Sequence, residues 1–285
     1  MSIREIDTDQ IRDAIAKLVV EVNHELSAPM KNAIHNAAST ESSLVGKRIL
    51  GQLEENLVIA KQEMIPICQD TGMAVVFLEI GQDVHLKGSL LSDAVNEGVR
   101  RGYTDGYLRK SVVLDPIERV NTGDNTPAII HTTIVSGDRV KITVAPKGFG
   151  SENMSKVYML KPADGIEGVE EAIISAVKDA GPNACPPMVI GVGIGGTFEK
   201  SAIMAKEALA YGEEDSLDTD RPDWVVSLEQ RMLSRINELN IGPGGLGGDT
   251  TALAVHVRSY ATHIAGLPVA VNICCHVNRH GSAVI

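Results

Sequence analysis

The residues whose types best suit chemistry are four cysteines, Cys68, Cys185, Cys274 and Cys275. Cys68 sits in Ile67-Cys68-Gln69-Asp70-Thr71-Gly72, ahead of an apolar run. Cys185 sits in Asn183-Ala184-Cys185-Pro186-Pro187, ahead of another. The adjacent pair ends a third apolar run and opens Cys275-His276-Val277-Asn278-Arg279-His280. Sites in open α/β sheets are built at strand ends, and a proline beside a cysteine fixes the backbone. Taken singly, a cysteine is most often an inert core residue; three in turn-rich settings point to more. Three thiolates suit an iron–sulfur cluster with one iron left open. Cys274 and Cys275 cannot both face one site, because neighbours on a strand point to opposite sides. Alternation does not say which of the two turns inward. A zinc site from Cys275, His276 and His280 competes, although its spacing fits none of the common structural patterns.

Other groups are weaker on their own. Asp70, two residues after Cys68, is placed to act as a general base beside a metal, or as an ordinary turn residue in Gln-Asp-Thr-Gly. Arg109 is a candidate partner for a substrate carboxylate, or a solvated surface charge. His263 precedes an apolar strand and has a structural reading as well as a catalytic one. Gly191-Val192-Gly193-Ile194-Gly195-Gly196 fits GxGxxG between a strand and a helix. No strand ending in an acidic residue follows that helix, so close helix-on-strand packing is preferred over nucleotide binding. Two glycine-rich segments, Lys147–Ser151 and Gly242–Gly248, can bring backbone N–H groups near an anion or serve as flexible turns.

The elements that must position these residues follow from hydrophobic period. Ile11, Ile15, Leu18, Val19 and Val22 predict a helix over Thr8 to Leu26, with Asp7 or Thr8 as cap. Ile49, Leu53, Leu57 and Ala60 predict another over Thr40 to Met64, with a short helix near Met30 to Ala38 between them. Met73 to Ile80, Met188 to Ile194, Thr251 to Tyr260 and Pro268 to Cys275 read as strands. Leu90 to Arg101, Gly165 to Ala180, Phe198 to Tyr211 and Asp223 to Leu239 read as helices, with an acidic loop over residues 212–221. Pro127 to Val135 and Arg139 to Ala145 flank Ser136-Gly137-Asp138 and predict a hairpin. The expectation is a mixed α/β (α+β) chain: one domain over residues 1–285, helical to about residue 65 and a mixed sheet with packed helices from about 66.

Composition narrows the partners. The chain has 285 residues, 44% of them hydrophobic, enough for a large core. Its 26 basic and 37 acidic residues give a net charge of −11, which repels phosphate backbones, and aromatic residues are only 3%. Nucleic acid is therefore not expected as a partner. The polar start MSIREIDTDQ has no signal-peptide h-region, and no run is long enough to span a membrane. A cytoplasmic location is expected, where disulfides are rare.

The cysteine segments together resemble the class I, iron–sulfur-dependent fumarate hydratases and the related L-tartrate dehydratases. The elements are Cys-Gln-Asp-Thr-Gly at 68–72, Asn-Ala-Cys-Pro-Pro at 183–187 and Cys-x-x-x-Arg-x-Gly at 275–281. Gly148-x-Gly150-Ser151 and the Gly-Leu-Gly-Gly segment at 245–248 lie between them in the same order. The resemblance runs through nearly the whole chain. It implies a hydro-lyase that hydrates fumarate to L-malate at a [4Fe–4S] cluster, with Cys68, Cys185 and Cys275 as ligands and Cys275 chosen over Cys274. It implies substrate contacts from Gln69, Asp70, Arg109 and Gly150, with Asp70 as base and His263 in the active site. L-tartrate is the alternative substrate, and the Gln69-to-Ile80 stretch looks more fumarase-like. Single-chain members carry a further C-terminal domain that supplies more substrate-binding residues. The chain therefore resembles an alpha subunit completed by a separate beta subunit, in a hetero-oligomer or a homodimer of alpha chains, with little activity alone. A zinc-stabilised or cofactor-free anion-binding protein using the glycine loops is the reading from another class. Asp249 departs from the pattern: it stands where a basic residue is expected, which weakens the case for anion binding by that loop.

Overall fold

The computed structural model describes residues 3–215 and 220–285. The mixed α/β expectation holds, with helices packed on mixed sheets. In chain order the elements begin with β1 (Arg4–Asp7), α1 (Thr8–His24), α2 (Ala28–Thr40) and α3 (Leu44–Glu63). Next come β2 (Met73–Gly81), β3 (Val84–Lys87), α4 (Leu91–Asp105), β4 (Ile129–Val135) and β5 (Val140–Lys147). The short α5 (Phe149–Glu152), β6 (Lys156–Leu160), α6 (Gly165–Ala180), β7 (Met188–Gly195) and α7 (Phe198–Asp215) follow. The chain ends with α8 (Asp223–Asn237), β8 (Ala252–Tyr260), β9 (Leu267–Cys274) and β10 (Gly281–Val284). Asp7 caps α1 as expected, its side chain accepting from the Asp9 N–H. The acidic loop expected over residues 212–221 lies partly outside the described residues; α7 extends to Asp215. The helical N-terminal portion contains one strand, β1, and β3, β6 and β10 were also not foreseen.

The chain forms two compact units. The first comprises residues 1–27, 57–149 and 279–285. Its four-stranded sheet has the order β10-β5-β2-β4, and β1 pairs with β3 in a separate two-stranded sheet. Ile11, Ile15 and Val19 of α1, Val95, Val99 and Tyr103 of α4, and Val76, Leu78 and Ile142 of the sheet form its core. The predicted hairpin is corrected here. β4 and β5 do not pair with each other, because β2 lies between them, parallel to β4 and antiparallel to β5. Six of the nine β2 residues from Met73 to Gly81 form an unbroken apolar run, which suits a central strand better than the alternating flanks. The turn at Ser136-Gly137-Asp138 therefore bridges two strand spacings, about 10 Å, over the end of β2. The Gly81 N–H donates to Arg139 O, the Gln82 N–H to Val135 O and the Asp83 N–H to Gly137 O. A Cβ at Gly81 would lie 2.3 Å from Gly137 O, so this crossing requires glycine.

The second unit comprises residues 28–56 and 150–278. Its sheet has the order β6-β9-β7-β8, with β7 antiparallel to β9 and parallel to β8. Every residue of β7 is buried, as a central strand packed on both faces requires. Ile173 and Val177 of α6, Leu228 and Met232 of α8, and Ile190, Val192, Val271 and Ile273 of the sheet form this core. Among the described residues no helix is long and apolar enough to cross a membrane.

Candidate active site

In the first unit, the loop from Cys68 to Gly72 leads into β2, and Lys147 at the end of β5 pairs with Met73 at the start of β2. Arg279 lies two residues before β10, whose start pairs with Val144 near the end of β5. Strand register therefore brings Asp70, Gly148 and Arg279 to one sheet end. The Asp70 carboxylate is held at both oxygens by backbone donors: Gly72 N–H to Oδ1 at 3.0 Å and Phe149 N–H to Oδ2 at 2.9 Å. Gln69 lies against the first cysteine, the Cys68 thiol donating to its Oε1 at 3.4 Å.

The carbonyls of this loop are clamped from below. The Tyr103 hydroxyl, fully buried on α4, donates to Thr71 O at 2.8 Å and Gly72 O at 2.9 Å. Burial pushes that hydroxyl well above its usual pKa, so it remains a donor at any ordinary pH. The Asn125 amide also donates to Gly72 O, and the Arg279 guanidinium donates to Asp70 O. Thr71 Oγ1 donates to Arg109 O at 3.0 Å, which ties the backbone of Arg109 to the same loop. The Arg109 side chain is exposed and makes no ion pair among the described residues. Cys68, Gln69, Asp70 and Arg109 are thus joined by one hydrogen-bonded loop.

In the second unit, Cys185 precedes β7 and Cys275 follows β9, and the antiparallel pairing of Val189 with Cys274 puts both at one sheet end. Cys185 adopts a left-handed conformation with φ 52° and is exposed. Cys274 is buried, whereas Cys275 is partly exposed. The His276 Nδ1 lies 3.2 Å from Cys185 O, which links the two cysteine segments. Gly150 belongs to this end too: a Cβ there would meet only Asn183 O, at 3.9 Å, so its backbone is approachable. Glu152 anchors the segment by accepting from Lys206 and from the Asn272 amide. Cys68 belongs to the first unit and Cys185 and Cys275 to the second. Among the described residues no group of three or more His, Cys, Asp or Glu side chains is gathered as a metal site.

The remaining candidates separate from these. His263 is exposed in the loop between β8 and β9, at the opposite end of the second sheet from Cys185 and Cys275. β9 alone spans about 25 Å at 3.3 Å per residue. The His263 ring accepts from the Ala265 N–H, which closes a local turn. The GxGxxG segment is a packing device: a Cβ at Gly191 would lie 2.2 Å from Ala205 O, and one at Gly193 would lie 2.0 Å from Ser201 O. α7 rests directly on β7 there. The Gly242–Gly248 loop lies at the Cys185 end, where the Gly244 N–H donates to Pro186 O. The amides that follow it are already occupied, because the buried Glu41 carboxylate accepts from the Asp249 and Thr250 N–H groups.

Glu41, Tyr103, Asn125, Glu152 and Arg279 were not foreseen as supports. Arg279 lies inside the Cys-x-x-x-Arg-x-Gly element, and that was the available signal. Glu41 acts on residues more than 200 positions away, and no local pattern announces such a contact.

The chain is similar to known proteins over nearly its whole length. A family model described as Fumarate hydratase (Fumerase) matches residues 12–284. A Methanocaldococcus jannaschii protein named "Putative L(+)-tartrate dehydratase subunit alpha" is 39% identical over 278 residues, covering 95% of each chain. The L(+)-tartrate dehydratase subunit alpha of Escherichia coli O157:H7 is 28% identical over 282 residues, 97% of this chain and 91% of that one. The protein of the same name from Escherichia coli K12 has the same identity and coverage.

Proposed function

This chain belongs to the fumarate hydratase (Fumerase) family, and we propose that it is the cluster-carrying alpha subunit of a hydro-lyase that interconverts fumarate and L-malate. The observation that carries the reading is the Asp70 carboxylate, fixed at both oxygens by backbone N–H groups two residues after Cys68. A base held this way needs no reorganisation when it takes a proton from carbon next to a carboxylate.

Cys68, Cys185 and Cys275 are the ligands in this reading, and the partial exposure of Cys68 and Cys275 and the open position of Cys185 suit thiolates that meet an inorganic group. When bound, a [4Fe–4S] cluster with one iron free of cysteine supplies a Lewis acid for the substrate hydroxyl and carboxylate. The chain's own side chains do the rest. Asp70 accepts the C3 proton of malate in dehydration and returns it in hydration. Arg109, unpaired and tied through Thr71 to the same loop, holds the remote carboxylate. The Gln69 amide and the approachable backbone of Gly150 contact the substrate. His263 belongs to this reading only through the resemblance, since it sits at the far end of its sheet. A separate beta subunit completes the site, which agrees with the subunit names of the relatives.

Those names favour L(+)-tartrate as the second substrate reading. Tartrate differs from malate by one hydroxyl, and a site that hydrogen-bonds that hydroxyl discriminates strongly. The test is anaerobic co-expression with the beta subunit and comparison of L-malate, fumarate and L-tartrate. Turnover of malate and fumarate at least 100-fold above that of tartrate is expected. The reverse ratio assigns tartrate, and full turnover by the alpha chain alone overturns the two-subunit reading.

A further inference from the structure

Arg279 is buried, with 3% of its surface exposed, yet no carboxylate pairs with it among the described residues. Burying a guanidinium without a counter-charge costs several kcal/mol, so stability alone does not explain its place. Its hydrogen bonds go instead to backbone: Nη2 donates to Asp70 O and Nε to Pro146 O at 3.4 Å. Nη1 has no partner. The two carbonyls it joins belong to the two segments that aim the Asp70 carboxylate, since Gly72 and Phe149 supply the N–H donors. Gly148 belongs to the second of these segments, and a Cβ there would meet Asp70 Oδ2 at 3.3 Å and Arg279 Nη2 at 3.8 Å.

We infer that Arg279 is a positioning residue for the reaction: its guanidinium ties the Asp70 loop to the end of β5 and so sets the direction of the Asp70 carboxylate. The inference rests on the reading of Asp70 as the base. Arginine is needed because one planar fork spans two carbonyls at fixed angles, which an ammonium cannot do. A carboxylate misplaced by about 1 Å loses on the order of 100-fold in rate while ground-state binding is nearly kept.

The experiment uses the anaerobically purified alpha–beta complex with its cluster. Arg279→Ala, Arg279→Lys and Asp70→Asn are compared for kcat, KM, and iron and sulfide content. Arg279→Ala is expected to lower kcat about 100-fold, to hold KM within about threefold and to keep the wild-type iron content. Arg279→Lys is expected to recover less than a tenth of wild-type kcat. Added guanidinium ion is expected to restore Arg279→Ala at least fivefold and to leave Asp70→Asn unchanged. A kcat within threefold of wild type in Arg279→Ala overturns the inference. So does a loss that comes with lost iron and is shared equally by the lysine variant, because that marks a purely structural role. Full turnover by Asp70→Asn overturns the reading of Asp70 instead. An inactive Asp70→Asn beside a fully active Arg279→Ala removes only the role of Arg279.

Discussion

Glu41 holds the backbone of Asp249, and Asp249 holds that of Ser42, the residue after Glu41. The Glu41 carboxylate accepts from the Asp249 N–H, at 2.8 Å to Oε1 and 3.1 Å to Oε2, and the Asp249 carboxylate accepts from the Ser42 N–H at 2.9 Å. Glu41 further accepts from the N–H groups of Ser43 and Thr250. The loop that follows the glycine-rich segment is therefore tied to the α2–α3 connection by two acidic side chains. This explains the acidic residue at 249, where a basic one was expected.

Glu41→Ala should remove about 3 kcal/mol of stability, because several backbone donors lose a charged acceptor in a buried setting. Burial alone raises the Glu41 carboxyl, but the hydrogen bonds from Asp249, Ser43 and Thr250 outweigh it and hold the carboxyl below its ordinary 4.5. Asp124 behaves alike: burial raises it, and the donors on Arg100 and Thr126 bring it down to about 2. Carboxyls depressed in the folded state stabilise it above their unfolded pKa values, and that contribution is lost as pH falls through the folded ones. Denaturant midpoints should be flat above about pH 5 and fall toward pH 2. The fall should be shallower in Glu41→Gln. An equal slope in that variant would show that Glu41 does not contribute.

Gly193→Ala should cost at least about 3 kcal/mol, since its Cβ would press within 2.0 Å of Ser201 O and 2.8 Å of Ala205 N on α7. Gly51→Ala is the contrasting change. Gly51 lies within α3 with nothing within 4 Å of its added Cβ, so alanine should stabilise by about 0.5–1 kcal/mol. Chemical denaturation of both variants checks the pair. A tolerated Gly193→Ala would return the GxGxxG segment to the ligand-binding reading.

What the sequence made legible was local. The period of Ile11, Ile15, Leu18 and Val22 defined α1, and the sequence placed Cys185 and Cys275 at loop–strand junctions; that the two junctions share one sheet end is set by the pairing of β7 with β9. The failures share a cause, which is that strand neighbours are chosen by tertiary packing. Ser136-Gly137-Asp138 has the residues of a tight turn, yet β2, distant in sequence, took the place between its arms. His263 was read from the resemblance alone, and it stands at the other end of its sheet from Cys275, with β9 between them. Buried polar supports such as Tyr103 were hidden because an apolar helix face and a face ending in one hydroxyl share the same period.

Tyr103→Phe should lower stability by about 1–2 kcal/mol, because Thr71 O loses the Tyr103 hydroxyl and Gly72 O keeps only the Asn125 amide. The same change loosens the loop that carries Asp70, so kcat in the alpha–beta complex should fall several-fold with iron content unchanged. Thermal unfolding and steady-state rates measured on one preparation test both parts. A variant as active as wild type would mean that the hydroxyl serves folding alone.

The cysteines give the most direct test of the cofactor. Cys68→Ser, Cys185→Ser and Cys275→Ser should each fold, because none of the three side chains is fully buried. Each should fail to retain a cluster, since a serine hydroxyl is a poor ligand for iron beside two thiolates. Cys274→Ser should behave differently. Cys274 is buried in β9 and pairs with Val189, whereas Cys275 lies just past the end of the strand and is partly exposed. Its replacement should cost about 1–2 kcal/mol by burying a hydroxyl and should leave iron and sulfide content intact. Anaerobic purification followed by iron, sulfide and zinc analysis and visible absorbance distinguishes the four variants. Loss of iron from Cys274→Ser but not from Cys275→Ser would reverse the assignment of the third ligand. Zinc in place of iron and sulfide in the wild-type protein would remove the cluster altogether and, with it, the proposed hydro-lyase chemistry.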